Sequence, residues 1–150
     1  MPKLFTIGCE KATSTAVLGE LARAKVKILV DTRAVAASRR PGFSKNKLAA
    51  GLDEHGIAYI HLQKLGTPAE GREAARKGDF KALWRIYNKH LKTPEAVEAM
   101  EELVTLVESG KAVCLLCYER DTAHCHRSRI AEIVQQRTSA RVTDLAPPLF

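Results

Sequence analysis

The sequence predicts an α/β fold: an open three-layer sandwich with a mainly parallel, four- or five-stranded sheet and helices on both faces. Two observations carry this expectation. Short apolar runs alternate along the chain with amphipathic helical patterns, the order that builds βαβ units. Most of those runs are apolar throughout rather than at every second position, as strands covered on both faces are.

Leu4 to Ile7 is the first run, ended by Gly8, and Thr13, Ser14 and Thr15 offer caps for a helix with Val17, Leu18, Leu21 and Ala22 on one face. Val26 to Val30 reads as the second strand, stopped by Asp31. Pro41-Gly42 supplies a turn, and Ser44 caps a helix carrying Leu48 and Leu52. Ile57 to Leu62 is the third strand. Gly66, Pro68, Gly71 and Gly78 then mark a polar connection, expected to be mobile rather than packed.

Asp79 caps a helix with Phe80, Leu83, Trp84, Tyr87 and Leu91 at helical spacing, where Trp84 and Tyr87 read as core. Thr93-Pro94-Glu95 is a helix start: a capping hydroxyl, a proline at the first helical position, and an acid near the positive end of the dipole. Val97, Met100, Val104 and Val107 form its expected buried stripe and Gly110 its stop. Ala112 to Cys117 is the fourth and most apolar strand. Ile130, Ile133 and Val134 belong to a last helix, and Val142 to Leu145 is a candidate fifth strand.

A length of 150 residues suits one domain, 1–150. A chain of that size buries about 70% of its unfolded surface, so neither a metal nor a disulfide is required for folding. The 24 Lys and Arg exceed the 17 Asp and Glu, a formal charge of +7 that favours anionic partners without choosing one. That excess is polarised. Between Thr32 and Leu52 stand Arg33, Arg39, Arg40, Lys45 and Lys47 with no acid; between Pro94 and Gly110 stand Glu95, Glu98, Glu101, Glu102 and Glu108 with no base. The Met-Pro-Lys-Leu-Phe-Thr-Ile start lacks the apolar core of a secretory signal, and no apolar run approaches the roughly 20 residues of a membrane span. A cytoplasmic location and no membrane partner are the expectations; the sequence specifies no oligomeric state.

Ligands of open α/β sheets bind outside the strand C-termini. Four groups fall there: Thr6, Gly8 and Cys9; Asp31 and Arg33; His61 and Lys64; Cys117 and Glu119. The plainer reading is that strands end where solvent begins, and polar residues with them. The densest cluster is Cys117-Tyr-Glu-Arg-Asp-Thr-Ala-His-Cys-His-Arg-Ser-Arg129. Its Cys125-His126-Arg127 lies where a helix should begin, and a helix N-terminus holds anions and lowers thiol pKa values. The layout is that of cysteine phosphatases and sulfurtransferases, but no Cys-x5-Arg occurs, since Ala123 and Ala131 stand six beyond Cys117 and Cys125.

A zinc site from Cys114, Cys117, Cys125 and the histidines is disfavoured, because two thiols three apart on a strand point to opposite faces. No metal and no cofactor is expected, and Cys114 reads as a small buried residue. The other candidate is the basic segment, where Arg33, Ser38, Arg39, Arg40 and Lys45 follow a strand and guanidiniums can grip phosphate bidentately; otherwise it is a solvated charged loop. Only Phe43 is aromatic there, which weakens a stacking platform for single strands. His61 reads as a packed or hydrogen-bonded residue at the core edge, and His55 and His90 as partners of negative helix ends.

These segments together resemble the family called domain of unknown function 488. The matching pieces are Phe5-Thr-Ile-Gly8, Leu29-Val-Asp-Thr-Arg33, Ser38-Arg-Arg40 with Phe43, Gly56-Ile-Ala-Tyr-Ile-His-Leu62 with Leu65-Gly66, and Leu115-Leu-Cys-Tyr-Glu119 followed by Cys125-His-Arg-Ser128. The resemblance runs from about Lys3 to Ala131. It implies an α/β fold and a residue set, Asp31, Arg33, Arg39, Cys117, Glu119, Cys125, His126 and Arg127, without a reaction. Cys9-Glu10 stands where that family usually has His-Ser, and Val35-Ala36-Ala37 lacks the proline that often precedes Ser-Arg-Arg.

The leading expectation is a cleft for a phosphate-bearing ligand, a nucleotide or a nucleic-acid end. Arg33, Ser38, Arg39, Arg40 and Arg127 would hold the anion. Asp31 and Glu119 would orient the arginines or move protons, His126 would join them, and Cys117 or Cys125 would be the nucleophile if the site is catalytic. Two alternatives stay open: a non-catalytic nucleic-acid-binding module using the basic loop 33–47, and a thiol redox protein.

Overall fold

A computed structural model describes residues 2–122 and 125–148. Strand and helix alternate as β1 (Lys3–Gly8), α1 (Ser14–Arg23), β2 (Ile28–Asp31), α2 (Lys45–Glu54) and β3 (Ala58–His61). A short 3-10 turn, Gln63–Leu65, leads into three successive helices, α3 (Ala69–Arg76), α4 (Phe80–His90) and α5 (Pro94–Glu108). The chain then returns to the sheet as β4 (Val113–Cys117), α6 (His126–Thr138) and β5 (Arg141–Leu145). The five strands lie in the order β3-β2-β4-β1-β5, and every pairing is parallel.

Successive residues of the central strands serve opposite layers. Val30, Val113 and Leu115 pack with Leu103 and Val107 of α5, Ile130 and Val134 of α6 and Tyr87 of α4. Leu29, Cys114 and Leu116 pack with Val17 and Leu21 of α1 and Leu48 and Leu52 of α2. β4 is buried at all of its five positions, which is why its sequence shows no alternation. The fold is the expected α/β sandwich with one parallel sheet.

The strand order places the cleft. From β2 the chain runs outward to β3 at one edge, and from β4 it runs the other way to β5 at the opposite edge, while β2 and β4 are neighbours. Connections leaving adjacent strands in opposite directions part at their C-termini and open a crevice there.

Three expectations are corrected. The segment from Gly66 to Gly78 is packed, not loose: it follows the 3-10 turn and holds α3. Gly71 permits this, since a Cβ there would meet Thr67 Cγ2 at 2.6 Å and Leu83 Cδ1 at 3.5 Å; the glycine that reads as a loop signal is a close helix contact. The second strand begins at Ile28 rather than Val26, because Lys25 has a positive φ of 60° and Val26 N–H still bonds Leu21 O at 3.0 Å. Val97 is 45% exposed; Met100, Val104 and Val107 of the expected stripe are buried, and Ala96, Ala99 and Leu103 complete the buried face of α5 in place of Val97.

Candidate functional site

The loop after β2 is built around Asp31. Its carboxylate is fully buried and accepts from the Arg33 backbone N–H at 3.0 Å. It also accepts Arg33 Nε at 2.9 Å, Arg33 Nη2 at 2.7 Å and the Tyr59 hydroxyl at 2.6 Å. Arg33 Nη1 donates to Phe43 O at 2.8 Å, which ties the far end of the basic loop back to the strand. Burial works against the Arg33 charge, but the bonds and charge of Asp31 outweigh it and leave the pKa raised. The same contacts act on Tyr59, where burial first and Asp31 second push the phenol pKa up.

Arg33, Ser38 and Arg40 form one wall of a cavity, with Asp31 holding Arg33 from beneath. Ser38 Oγ accepts the Arg40 N–H at 3.1 Å, and the Arg40 guanidinium lies 4.4 Å from the centre of the Phe43 ring while donating to Ala12 O. Tyr118, Glu119 and His126 form the facing wall, and Thr67 and Arg72 close the side. The cavity between them is ≈ 190 Å³. It shares Thr67, Arg72, Tyr118, Glu119 and His126 with an adjoining ≈ 500 Å³ cavity that reaches Arg76 and Asp121.

His126 is held in one tautomer. Thr32 Oγ1 donates to Leu116 O at 2.8 Å, so its lone pair and the Thr32 carbonyl both face His126 Nε2, at 3.0 and 2.9 Å. Nε2 therefore carries the proton and Nδ1 is the basic nitrogen. Burial pushes the His126 pKa down to about 4, against the Thr32 carbonyl and with nearby Arg127; the ring is neutral at pH 7. The Glu119 carboxyl moves the other way, raised chiefly by burial.

Behind this wall, Cys117 and Cys125 are joined as a disulfide, with 0% and 1% of their surfaces exposed. Arg127 is 1% exposed. Its Nη1 donates to Cys117 Sγ at 2.9 Å and to Glu119 O, and its Nη2 donates to Arg120 O at 3.0 Å. Its Nε has no partner, and burial lowers its pKa. The sulfurs and a Glu119 oxygen lie within 4.8 Å of one another, a spacing that suits a metal. While the two sulfurs are bonded to each other they offer a metal no thiolate, and a guanidinium already donates to the Cys117 sulfur.

The sequence-predicted residues are thus divided. Arg33, Ser38, Arg40, Glu119 and His126 line the cleft, with Asp31 beneath Arg33. Cys117, Cys125 and Arg127 lie buried behind it. Arg39 is exposed and belongs to neither cavity. His61 bonds Arg33 O through Nε2 at 2.7 Å, as a core-edge histidine should, and His90 bonds Lys64 O at 2.6 Å. Cys114 is fully buried and burial raises its pKa. His124 lies outside the described residues.

Thr67, Arg72 and Arg76 were not among the site residues expected from sequence. The available signal was the spacing of Arg72 and Arg76, one helical turn apart in a segment read as a loop. Cys9, recognised only as a strand-end residue, also lines the cleft; burial raises its pKa while Arg33 and Arg40 pull the other way.

Fold and site together define an α/β protein with an arginine-lined cleft at the β2/β4 strand ends and a buried Cys117–Cys125 disulfide behind it. The chain belongs to the family described as Domain of unknown function DUF488, whose model matches residues 13–134. No curated protein and no solved structure matches it. Among the described residues, no helix is long and apolar enough to cross a membrane.

Proposed function

We propose that the cleft binds a phosphate-bearing ligand, a nucleotide or the end of a nucleic acid, in the cytoplasm. The observation that carries this reading is the convergence of Arg33, Arg40 and Arg72 with Ser38 and Thr67 on one cavity. Guanidiniums and hydroxyls around a concave site suit the tetrahedral oxygens of phosphate. The adjoining space past Arg76 brings the cleft into the size range of small-molecule sites.

Arg33 is the fixed member, oriented by Asp31, while Arg40 and Arg72 are the contacts that define the pocket mouth. Glu119, with its raised pKa, and neutral His126 stand opposite as proton donor and acceptor for a reaction at the bound phosphate. Arg127 supports the wall from behind and does not reach the anion.

Calorimetric titration with inorganic phosphate, a nucleoside monophosphate and a 5′-phosphorylated oligonucleotide tests this. Arg72→Ala and Arg40→Ala should each weaken binding at least about tenfold, the loss of one charge-assisted bond, while Arg39→Ala leaves it unchanged. No binding, or losses confined to Arg39→Ala, would overturn the cleft reading. The exposed positions Arg39, Lys45 and Lys47 favour one second reading, nucleic-acid docking along the outer loop. It predicts that a triple Ala variant at those positions loses oligonucleotide affinity and its salt dependence while free phosphate binds as before.

A further inference from the structure

The protein buries two guanidiniums at this end of the sheet, and they are treated differently. Arg33 has the Asp31 carboxylate. Arg127, more deeply buried, forms no salt bridge with a carboxylate among the described residues. Its close partners are two backbone carbonyls and the sulfur of Cys117. A guanidinium sealed from water without an anion is costly, and one of its nitrogens is left unpartnered. The group placed to become that anion is Cys117, whose sulfur is neutral while bonded to Cys125 and charged once released.

We propose that Cys117 and Cys125 are a reversible thiol–disulfide couple in which reduced Cys117 is a thiolate paired with buried Arg127. Cys125 stands at the N-cap of α6, where the dipole favours sulfur anions as well. Pairing with Arg127 stabilises the reduced form, so the disulfide is the readily reduced kind. The other charged and titratable groups acting on Arg127 are Asp144 of β5, Glu119, Cys114 and Cys9, with His126 of α6 also within its field. Cys9 and Cys114 are free thiols and take no part.

The co-reactant is a small-molecule disulfide. In the oxidising direction the Cys117 thiolate attacks one of its sulfurs, forming a mixed disulfide and releasing one thiolate. The Cys125 sulfur then displaces the second as a thiol, which leaves with the Cys125 proton, and Cys117–Cys125 closes. Two electrons pass from the protein to the small disulfide. Reduction by two small thiols is the reverse.

The couple lies behind the cleft and does not rest on the phosphate reading. Equilibration of the full chain in mixtures of reduced and oxidised glutathione, followed by alkylation and peptide mapping, tests it. One disulfide, Cys117–Cys125, should interconvert while Cys9 and Cys114 remain thiols. Arg127→Gln should shift the equilibrium toward the disulfide by at least about tenfold, close to 30 mV, and Arg127→Lys by less. In Cys125→Ser, where Arg127 is intact, the ultraviolet absorbance of a thiolate should persist near neutral pH and vanish in the Cys117→Ser/Cys125→Ser double variant. Thiols that stay reduced in oxidised glutathione would overturn the proposal. So would a Cys125→Ser variant whose thiolate forms only around the free-cysteine value, about pH 8.5.

Discussion

Asp31 grips Arg33 from two residues away, with one carboxylate oxygen on the Arg33 backbone N–H and Nε and the other on Nη2. The pair turns a basic loop into a wall, because the same guanidinium holds Phe43 O.

Asp31→Asn should therefore do more than remove a charge. It leaves Arg33, 8% exposed, without its anion, and removal of one partner of a buried pair costs about 3–5 kcal/mol. Urea denaturation should show that loss, and the double variant Asp31→Asn/Arg33→Met should recover part of it. A double variant no better than the single would assign the loss to the Tyr59 contact instead.

Gly8 is where the facing wall meets the sheet. A Cβ there would stand 1.9 Å from Glu119 O and 2.9 Å from Arg127 Nη1. Gly8→Ala should cost at least the about 1–3 kcal/mol usual for overpacking. Gly19, on α1 with nothing within 4 Å of its added Cβ, should respond oppositely: Gly19→Ala gains about 0.5–1 kcal/mol from helix propensity. Paired thermal melts check both signs.

His126 links the site to pH. Its folded pKa lies below its ordinary 6.5, at about 4, so the unfolded chain takes up the proton first. Its contribution to stability is complete above 6.5 and is lost as pH falls toward about 4. His126→Gln, which keeps an N–H for Thr32, should flatten the fall in Tm over that window relative to the parent protein. An unchanged slope would place the titration elsewhere.

Tyr87 is fully buried between α4 and the 3-10 turn and donates its hydroxyl to Leu65 O at 2.6 Å. Tyr87→Phe keeps the ring and strands that carbonyl, at a cost of about 1–3 kcal/mol. Denaturant midpoints should show the loss, with an unchanged slope.

The site was legible in the sequence where local chemistry defines it. A buried Asp and an Arg two residues apart at a strand end, and the Cys117 to Cys125 spacing, are visible as strings. Arg72 was not, because the glycine that marks its segment as a loop is the residue that lets α3 pack against Leu83. Arg39 stands out in the sequence by its charge, and charge alone does not say which side of a loop a side chain leaves.

By itself the sequence determined the order of the strands and of every helix but α3, the mainly parallel sheet and the edge at which its polar residues gather. Each of these follows from periodicity, caps and uninterrupted apolar runs within short windows of chain. Only the tertiary structure decided that β2 lies beside β4, that Thr32 holds His126 across 94 positions, and that Arg127 faces a sulfur rather than an anion. Those pairings depend on which strands become neighbours, and the packing that selects neighbours is a property of the whole core.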